Sequence, residues 1–334
     1  DPDEFAKRLT NHKKDGGSYN TSPAISPQGD KVAFLSNRDY YFDLYIMSAI
    51  DGKIINKLIK GNRTADFEEL NILTPSLTWS PDGKKIALGA KSGGFDVVYL
   101  IDVETEERET IPLSLEGVKS VTWSPDGKSL AFVGHTAKQS DIYLYNLESA
   151  ELENLTEDIF SDSDPAWSSD GSKIYFSSDR IGNLVKEVLA DSFKIYKHDY
   201  SQHDIYSFNL NNKVIERITS LPNSDEVSPI ASPDGNYLLF LSDINGINNI
   251  YRLSLNENNL ISKISDNSNE FLPITNSLNG LYQLSASKDG KKLTFTSLYQ
   301  SAFNIFLMNN PFESSLEDQK LEPTLYISSL LKKE

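Results

Sequence analysis

The chain has 334 residues, 38% of them hydrophobic and 24% charged, with 48 acids against 32 bases and no cysteine. Such a composition belongs to a soluble globular protein, and the missing cysteines exclude a disulfide framework, thiol catalysis and a zinc-cysteine site. The net charge of −16 argues against nucleic acid, whose binding needs clustered Lys and Arg, but suits a basic peptide, a cation or a neutral partner.

No apolar run is long enough to span a bilayer, and no basic segment followed by an apolar one marks a signal peptide. A start at Asp1 rather than Met reads as an excised or processed piece. In chain order, the first candidate strand is Phe5–Thr10 (FAKRLT).

A repeat then begins at Ile25 and recurs from Trp79, Trp123, Trp167, Ala231 and Ala286. Its core reads Ser-Pro-Asp-Gly-Lys, with serines at 26, 80, 124, 168, 232 and 287, so the intervals are 54, 44, 44, 64 and 55 residues. Two intervals match a four-stranded propeller blade of about 40 to 45 residues, and the longer ones read as the same unit with insertions. The fold class is therefore all-β, a six-bladed β-propeller of four-stranded antiparallel blades.

Within each copy, strand a ends at the serine, as in Ser120–Ser124, and strand b follows the turn, as in Ser129–Gly134. Strand c carries an Asp or Asn, an aliphatic residue and commonly an aromatic one, starting at Asp43, Asp96, Asp141, Asp204, Asn249 and Asn304. Strand d is read at Leu152–Thr156, Ile215–Thr219 and Ile261–Ser265. Pro fixes φ at the first turn position, Asp bonds its own backbone and Gly accepts positive φ, so the motif is read as a turn without chemistry of its own.

Phe5–Thr10 resembles a strand d and is expected to complete blade six, which leaves no open edge in the ring. Residues 1–308 then form the propeller. Residues 309–334 form a tail or the start of a further module, with Tyr326–Lys333 readable as strand or helix.

The segment DSDPAWSSDGSKIYFSSDR, Asp162–Arg180, resembles the WD-like Pro-Asp repeats of the TolB-like family. The resemblance covers nearly the whole chain. It implies a periplasmic, envelope-associated bacterial module that binds protein partners, although no separate α/β domain precedes the propeller.

Propeller geometry puts the a–b and c–d turns on one face, here the turn face, and the b–c and d–a loops on the other, the loop face. The long insertions 61–73, 181–203 and 266–280 all fall on the loop face, where binding commonly resides. The d–a loops carry thirteen acids against four bases, and the b–c loops add Tyr40, Tyr41, Phe42, Phe95, Phe193, Tyr196, Tyr200, Tyr299 and Phe303. This acidic rim with aromatic anchors suits a peptide carrying Lys or Arg.

The position four before each repeated serine is polar: Ser22, Ser76, Ser120, Asp164, Ser228 and Gln283. These six are expected to ring the central channel. Together with Tyr41, Phe95, Arg180, Tyr196 and His203 they form the candidate partner-binding set. Asp164 with Asp162 could hold Ca²⁺ or a ligand cation, since hard cations take several oxygens; no other cofactor is expected.

All four histidines, His12, His135, His198 and His203, map to the loop face. They keep open an alternative, a metal-dependent lyase or hydrolase at the channel mouth, although no catalytic motif supports it. Arg38 is expected to pair with Asp43, and Arg180 with Asp204, bracing b–c hairpins. The resulting expectation is a monomeric, non-enzymatic module that binds a protein or peptide through the loop face and central funnel.

Overall fold

A computed structural model describes residues 1–61, 69–70, 77–92, 95–137, 139–184, 194–255, 271–316 and 320–331. Six antiparallel sheets follow one another along the chain. Blade one comprises strands Asn20–Ile25, Lys31–Ser36, Asp43–Ser48 and Ile54–Ile59. In blade two the inner edge is divided between Leu77–Trp79 and a two-residue strand, Glu69–Leu70, which pair with different parts of strand b, Lys85–Ser92. Blades three, four and five start at Gly117, Asp162 and Glu226. Blade six, from Leu281, is closed by Lys7–Arg8, which pairs with Leu307 and Phe306.

Strands b and c are buried on both sides, because each blade is sandwiched between two others, and they read as near-continuous apolar runs such as Val32–Leu35 and Leu238–Leu241. The core is six apolar clusters, one between each pair of successive blades. The last joins blade six, through Leu9, Ile305 and Leu307, to Val32, Phe34 and Tyr45 of blade one. The ring is thus closed by packing as well as by strand pairing.

Each repeated turn has the same internal bonding. Ser124 Oγ donates to Asp126 Oδ1 at 2.7 Å and accepts from the backbone N–H of Ser129 at 2.9 Å. Ser80, Ser168, Ser232 and Ser287 repeat both bonds. In blade one Asp30 takes the place of the turn aspartate. The six turn glycines have φ between 69° and 77°, a range that a side chain would strain. The serines are committed to their turns.

A second repeated device anchors strand d. A threonine just after it accepts the second backbone N–H of strand c: Thr156 from Ile142, Thr219 from Ile205, Thr275 from Ile250 and Thr10 from Ile305, at 2.8–3.0 Å. Thr10 therefore marks the N-terminal segment as the true fourth strand of blade six. Thr275 likewise shows that the outer strand of blade five is Phe271–Pro273. The expected strand Ile261–Ser265 lies outside the described residues.

The tail runs back over blade five. Phe312 packs on the cluster between blades five and six, and the Arg252 guanidinium donates to the Phe312 and Ser314 carbonyls. Leu321 packs between blades four and five, and the Thr324 N–H reaches the Asn245 carbonyl at 2.8 Å. A short helix, Leu325–Leu331, follows, which resolves the strand-or-helix alternative in favour of helix. None of the described helices is long and apolar enough to cross a membrane.

Candidate functional site

Strand a in five blades contains a register shift, at Thr21/Ala24, Lys119/Thr122, Ser163/Ala166, Val227/Ile230 and Tyr282/Ser285. At each shift one residue has positive φ: Ser22 at 51°, Ser120 at 51°, Asp164 at 50°, Ser228 at 55° and Gln283 at 58°. These are the polar ring positions expected from spacing; Ser76, the sixth, lies outside the described residues. A bulge with its first residue left-handed re-aims that residue's side chain. The backbone strain, about 1 kcal/mol or more at each position, is repeated around the ring.

The ring residues touch across blades. Asp164 accepts from Ser120 Oγ at 3.4 Å, and from the Ser228 N–H and Oγ at 3.2 and 3.4 Å. Gln283 Oε1 accepts the Ser22 N–H at 2.8 Å and Thr296 Oγ1 at 3.0 Å. Asp164 is half-buried. Its burial pushes the carboxyl above the usual carboxylate range, against the pull of the Ser228 and Ser120 donors and of the His203 charge.

A channel cavity of about 530 Å³ is lined by strand a of all six blades. Ser120, Asp164 and Ser228 belong to its wall at one end, while Pro81, Pro125 and Pro233 of the repeated turns belong to the other. Between them the wall is largely apolar. This cavity extends from the ring toward the turn face, away from the loop-face insertions.

Asp162 and Asp164 do not meet on one site. Asp162 is turned into the blade, where Arg180 binds its Oδ1 through Nη2 at 2.7 Å and reaches Asp158 Oδ2 through Nη1 at 3.0 Å. Asp141, Asp158 and Asp162 together form the one carboxylate group of metal-ligand spacing among the described residues. The second oxygen of Asp162 is buried without a hydrogen-bond partner there. Burial, with the repulsion of Asp162 and Asp141, pushes the Asp158 carboxyl up to about 6 despite Arg180. An isolated cation would compete with a guanidinium already in place.

This arrangement corrects the expected arginine pairs. Arg180 does not reach Asp204; it is only 1% exposed, so it cannot touch a partner either. Asp204 is taken by Arg217 of strand d at 2.6 Å. Arg38 bonds Ser36 and Asn20, and Asp43 is taken by Lys57 of strand d at 2.9 Å.

Blade three repeats the geometry with Asn154, which donates to Asp141 at 2.9 Å. In all three blades the donor is the strand d residue directly opposite the strand c tyrosine. That donor, thirteen or fourteen positions after the strand c aspartate, was the legible signal that local hairpin reasoning missed.

Two histidines have acidic neighbours. His203 Nδ1 is 3.3 Å from Asp225 Oδ1, and the hydrogen bond to Asp225 raises its pKa against the cost of burial. His198 Nε2 is 3.6 Å from Asp179, with its ring between Phe160 and Tyr200. Burial lowers the His135 pKa. His12 lies in the short helix His12–Asp15.

Of the seven exposed tyrosines among the described residues, Tyr19, Tyr40, Tyr41, Tyr196, Tyr200 and Tyr282 are on the loop face. Tyr40 and Tyr196 are 94% and 76% exposed. Tyr19 and Tyr282 both pack on Phe303, and Tyr19 also on Phe42, at 5.7–6.5 Å between ring centroids. Phe193 and the side chain of Phe95 lie outside the described residues.

Residues 63–185 match the family model of the TolB β-propeller domain. TolB from Acinetobacter baumannii has the same fold, with a TM-score of 0.57 and 20% identity over 88% of this chain and 63% of that one. A TolB-type protein from Agrobacterium tumefaciens gives 0.52 and 23%, covering 71% of this chain and 79% of its own. The chain is a six-bladed propeller, and residues 63–185 of it are similar to the TolB β-propeller domain.

Enzymes share this fold. Oligogalacturonate lyase from Vibrio parahaemolyticus has a TM-score of 0.54 at 14% identity, over 90% of this chain and 92% of that one. No curated protein sequence matches the chain significantly. The chain spans 63% of the length of the Acinetobacter protein.

Proposed function

We propose that this TolB-like propeller is a non-catalytic module of the bacterial envelope that binds a protein or peptide segment on its loop face. The observation that carries the reading is the concentration there of six of the seven exposed tyrosines. Tyrosine offers a large, rigid contact area with a polar tip and is enriched in interfaces and their energetic centres. Buried acids of that face, such as Asp158 and Asp162, are engaged internally by Arg180, so recognition falls to the exposed aromatics and the exposed acidic rim. A periplasmic location follows the TolB likeness.

A metal-dependent enzyme is the rival, and its support is the Asp141, Asp158 and Asp162 group. Affinity capture from bacterial envelope extract, with captured proteins identified by mass spectrometry, tests the binding reading. The wild type should recover a partner that a Tyr40→Ser, Tyr41→Ser, Tyr196→Ser triple variant loses. Equal recovery by both would reject the loop-face reading. Elemental analysis of the purified chain tests the rival, which requires a stoichiometric metal.

A further inference from the structure

The channel cavity combines features that no internal need explains. Its lining contains two charged residues, Asp164 within the polar ring and Lys288 at the turn-face rim. Asp164 accepts hydrogen bonds from hydroxyl and backbone amide donors of blades three and five, His203 acts on it only through its charge, and no salt bridge to it is found among the described residues. A half-buried carboxylate in a largely apolar channel, held by neutral donors alone, gains from a cation that joins it. The chain places this carboxylate on a strained, positive-φ bulge that turns it inward.

We propose that the central channel is a binding site for a primary ammonium carried on an apolar stem, reaching Asp164 from the turn face. The ammonium group has three N–H donors. Three acceptors wait together at the ring: the Asp164 carboxylate and the Ser120 and Ser228 hydroxyls. Both carboxylate oxygens already accept bonds, one from Ser120 and the other from Ser228. That engagement suits the compact point charge of an amine better than the paired fork of a guanidinium.

The stem would run between tryptophan and proline side chains of the repeat. Trp79 is buried, its indole N–H given to the Ala24 carbonyl at 2.8 Å. Trp123 and Trp167 are likewise tied to backbone carbonyls, so all three present apolar ring surface. A volume of about 530 Å³ is ample for a lysine side chain with neighbouring peptide, or for a free alkylamine. This site is independent of the loop-face reading, since the cavity opens toward the other side of the disc.

The chain's three tryptophans all line the channel, so intrinsic fluorescence reports its occupancy directly. The purified protein is titrated with n-hexylamine, with the peptide acetyl-Leu-Lys-Leu-amide, and with hexan-1-ol and hexylguanidinium as controls. At least one amine should change the emission saturably, with both controls weaker by about ten-fold or more. Tighter binding of the peptide identifies lysine as the source, and tighter binding of hexylamine a free amine; either supports the proposal.

Asp164→Asn should remove the preference for amine over alcohol, with the melting temperature showing that the variant is folded. Ser169→Phe, which adds bulk at the exposed turn-face rim, should weaken amine binding while leaving the three tryptophans in place. The proposal fails if neither amine gives a saturable change, if hexanol or hexylguanidinium matches the amines, or if Ser169→Phe binds as the wild type does. These wild-type and Ser169→Phe comparisons decide the matter even if Asp164→Asn does not fold.

Discussion

The two faces of the disc are made by the same six repeats, yet they are stabilised differently. On the turn face one arrangement recurs: a serine hydroxyl bonded to a turn aspartate and to the strand b backbone, followed by a positive-φ glycine. On the loop face each connection buries its own set of groups. Blade one engages Asp43 with Lys57 and Tyr45; blade four gathers Asp158, Asp162 and Arg180, with Asp141 contributed from blade three.

The contrast separates two ways of holding a blade. Turn-face bonds are local, partly solvated and interchangeable, so the loss of one should be small and alike in every blade. Loop-face charges are desolvated and mutually dependent, so removing one partner leaves the others buried and unpaired.

Arg180→Ala is the largest test of that difference. It would leave Asp158 and Asp162, at 5% and 0% side-chain exposure, without their shared cation. A loss of about 3–5 kcal/mol is expected, visible as a lower urea midpoint and melting temperature. A variant nearly as stable as wild type would show that these carboxylates carry no charge in the fold, and would erase the distinction between the faces.

Glu226 sharpens the same comparison through pH. It is fully buried and accepts from Ser224 Oγ at 2.6 Å. Burial, with added repulsion from Asp204, pushes its carboxyl up to about 8 against the Ser224 bond. The folded chain therefore keeps a proton that the unfolded chain releases in the ordinary glutamate range. Stability from this group is complete below that range and is lost as pH rises through about 8. Glu226→Gln should match the wild type at about pH 5 and exceed it at about pH 9 by thermal melting. A variant destabilised equally at both would mean that the carboxylate is ionised and needed.

The turn face was legible because its chemistry is contained in six consecutive residues. Ser-Pro-Asp-Gly carries its own φ values and bonding partners, and counting copies gives the blades. The ring was legible through a fixed offset from those turns: all five described positions have positive φ and polar side chains. Closure by Phe5–Thr10 was legible too, since Leu9-Thr10 repeats Leu155-Thr156 and Ile218-Thr219.

That same pair, as Ile274-Thr275, identifies Phe271–Pro273 as an outer strand of blade five. Ion pairing was not legible locally. Ser178 lies opposite Asp162 on one side and Asp204 on the other, so Arg180, two residues later, has an acid in either direction. The choice is made by Arg217, which stands opposite Tyr206 on strand d and occupies Asp204 first.

Smaller effects test whether the turns are interchangeable. Ser124→Ala and Ser168→Ala each remove one donor and one acceptor from a turn of identical geometry. Each should cost about 1 kcal/mol in chemical denaturation, with the two values within about 0.5 kcal/mol of each other. Unequal costs would mean that the neighbouring blades couple to the turns, and that the turn face is less modular than its repeated bonding implies.

The smallest expected stability effect is on the loop-face tyrosines. Tyr40 and Tyr196 are mostly exposed, so replacing either with serine removes little buried area and should shift stability by no more than about 0.5 kcal/mol. Partner recovery should nonetheless fall, because rigid aromatic area contributes to association where it contributes little to folding. The informative quantity is the ratio of the two losses: large for binding against folding at Tyr40 and Tyr196, and the reverse at Arg180. If Tyr196→Ser instead lowers the melting temperature as Arg180→Ala does, the exposed tyrosines serve to hold the insertion down, and the loop face is built for stability rather than recognition.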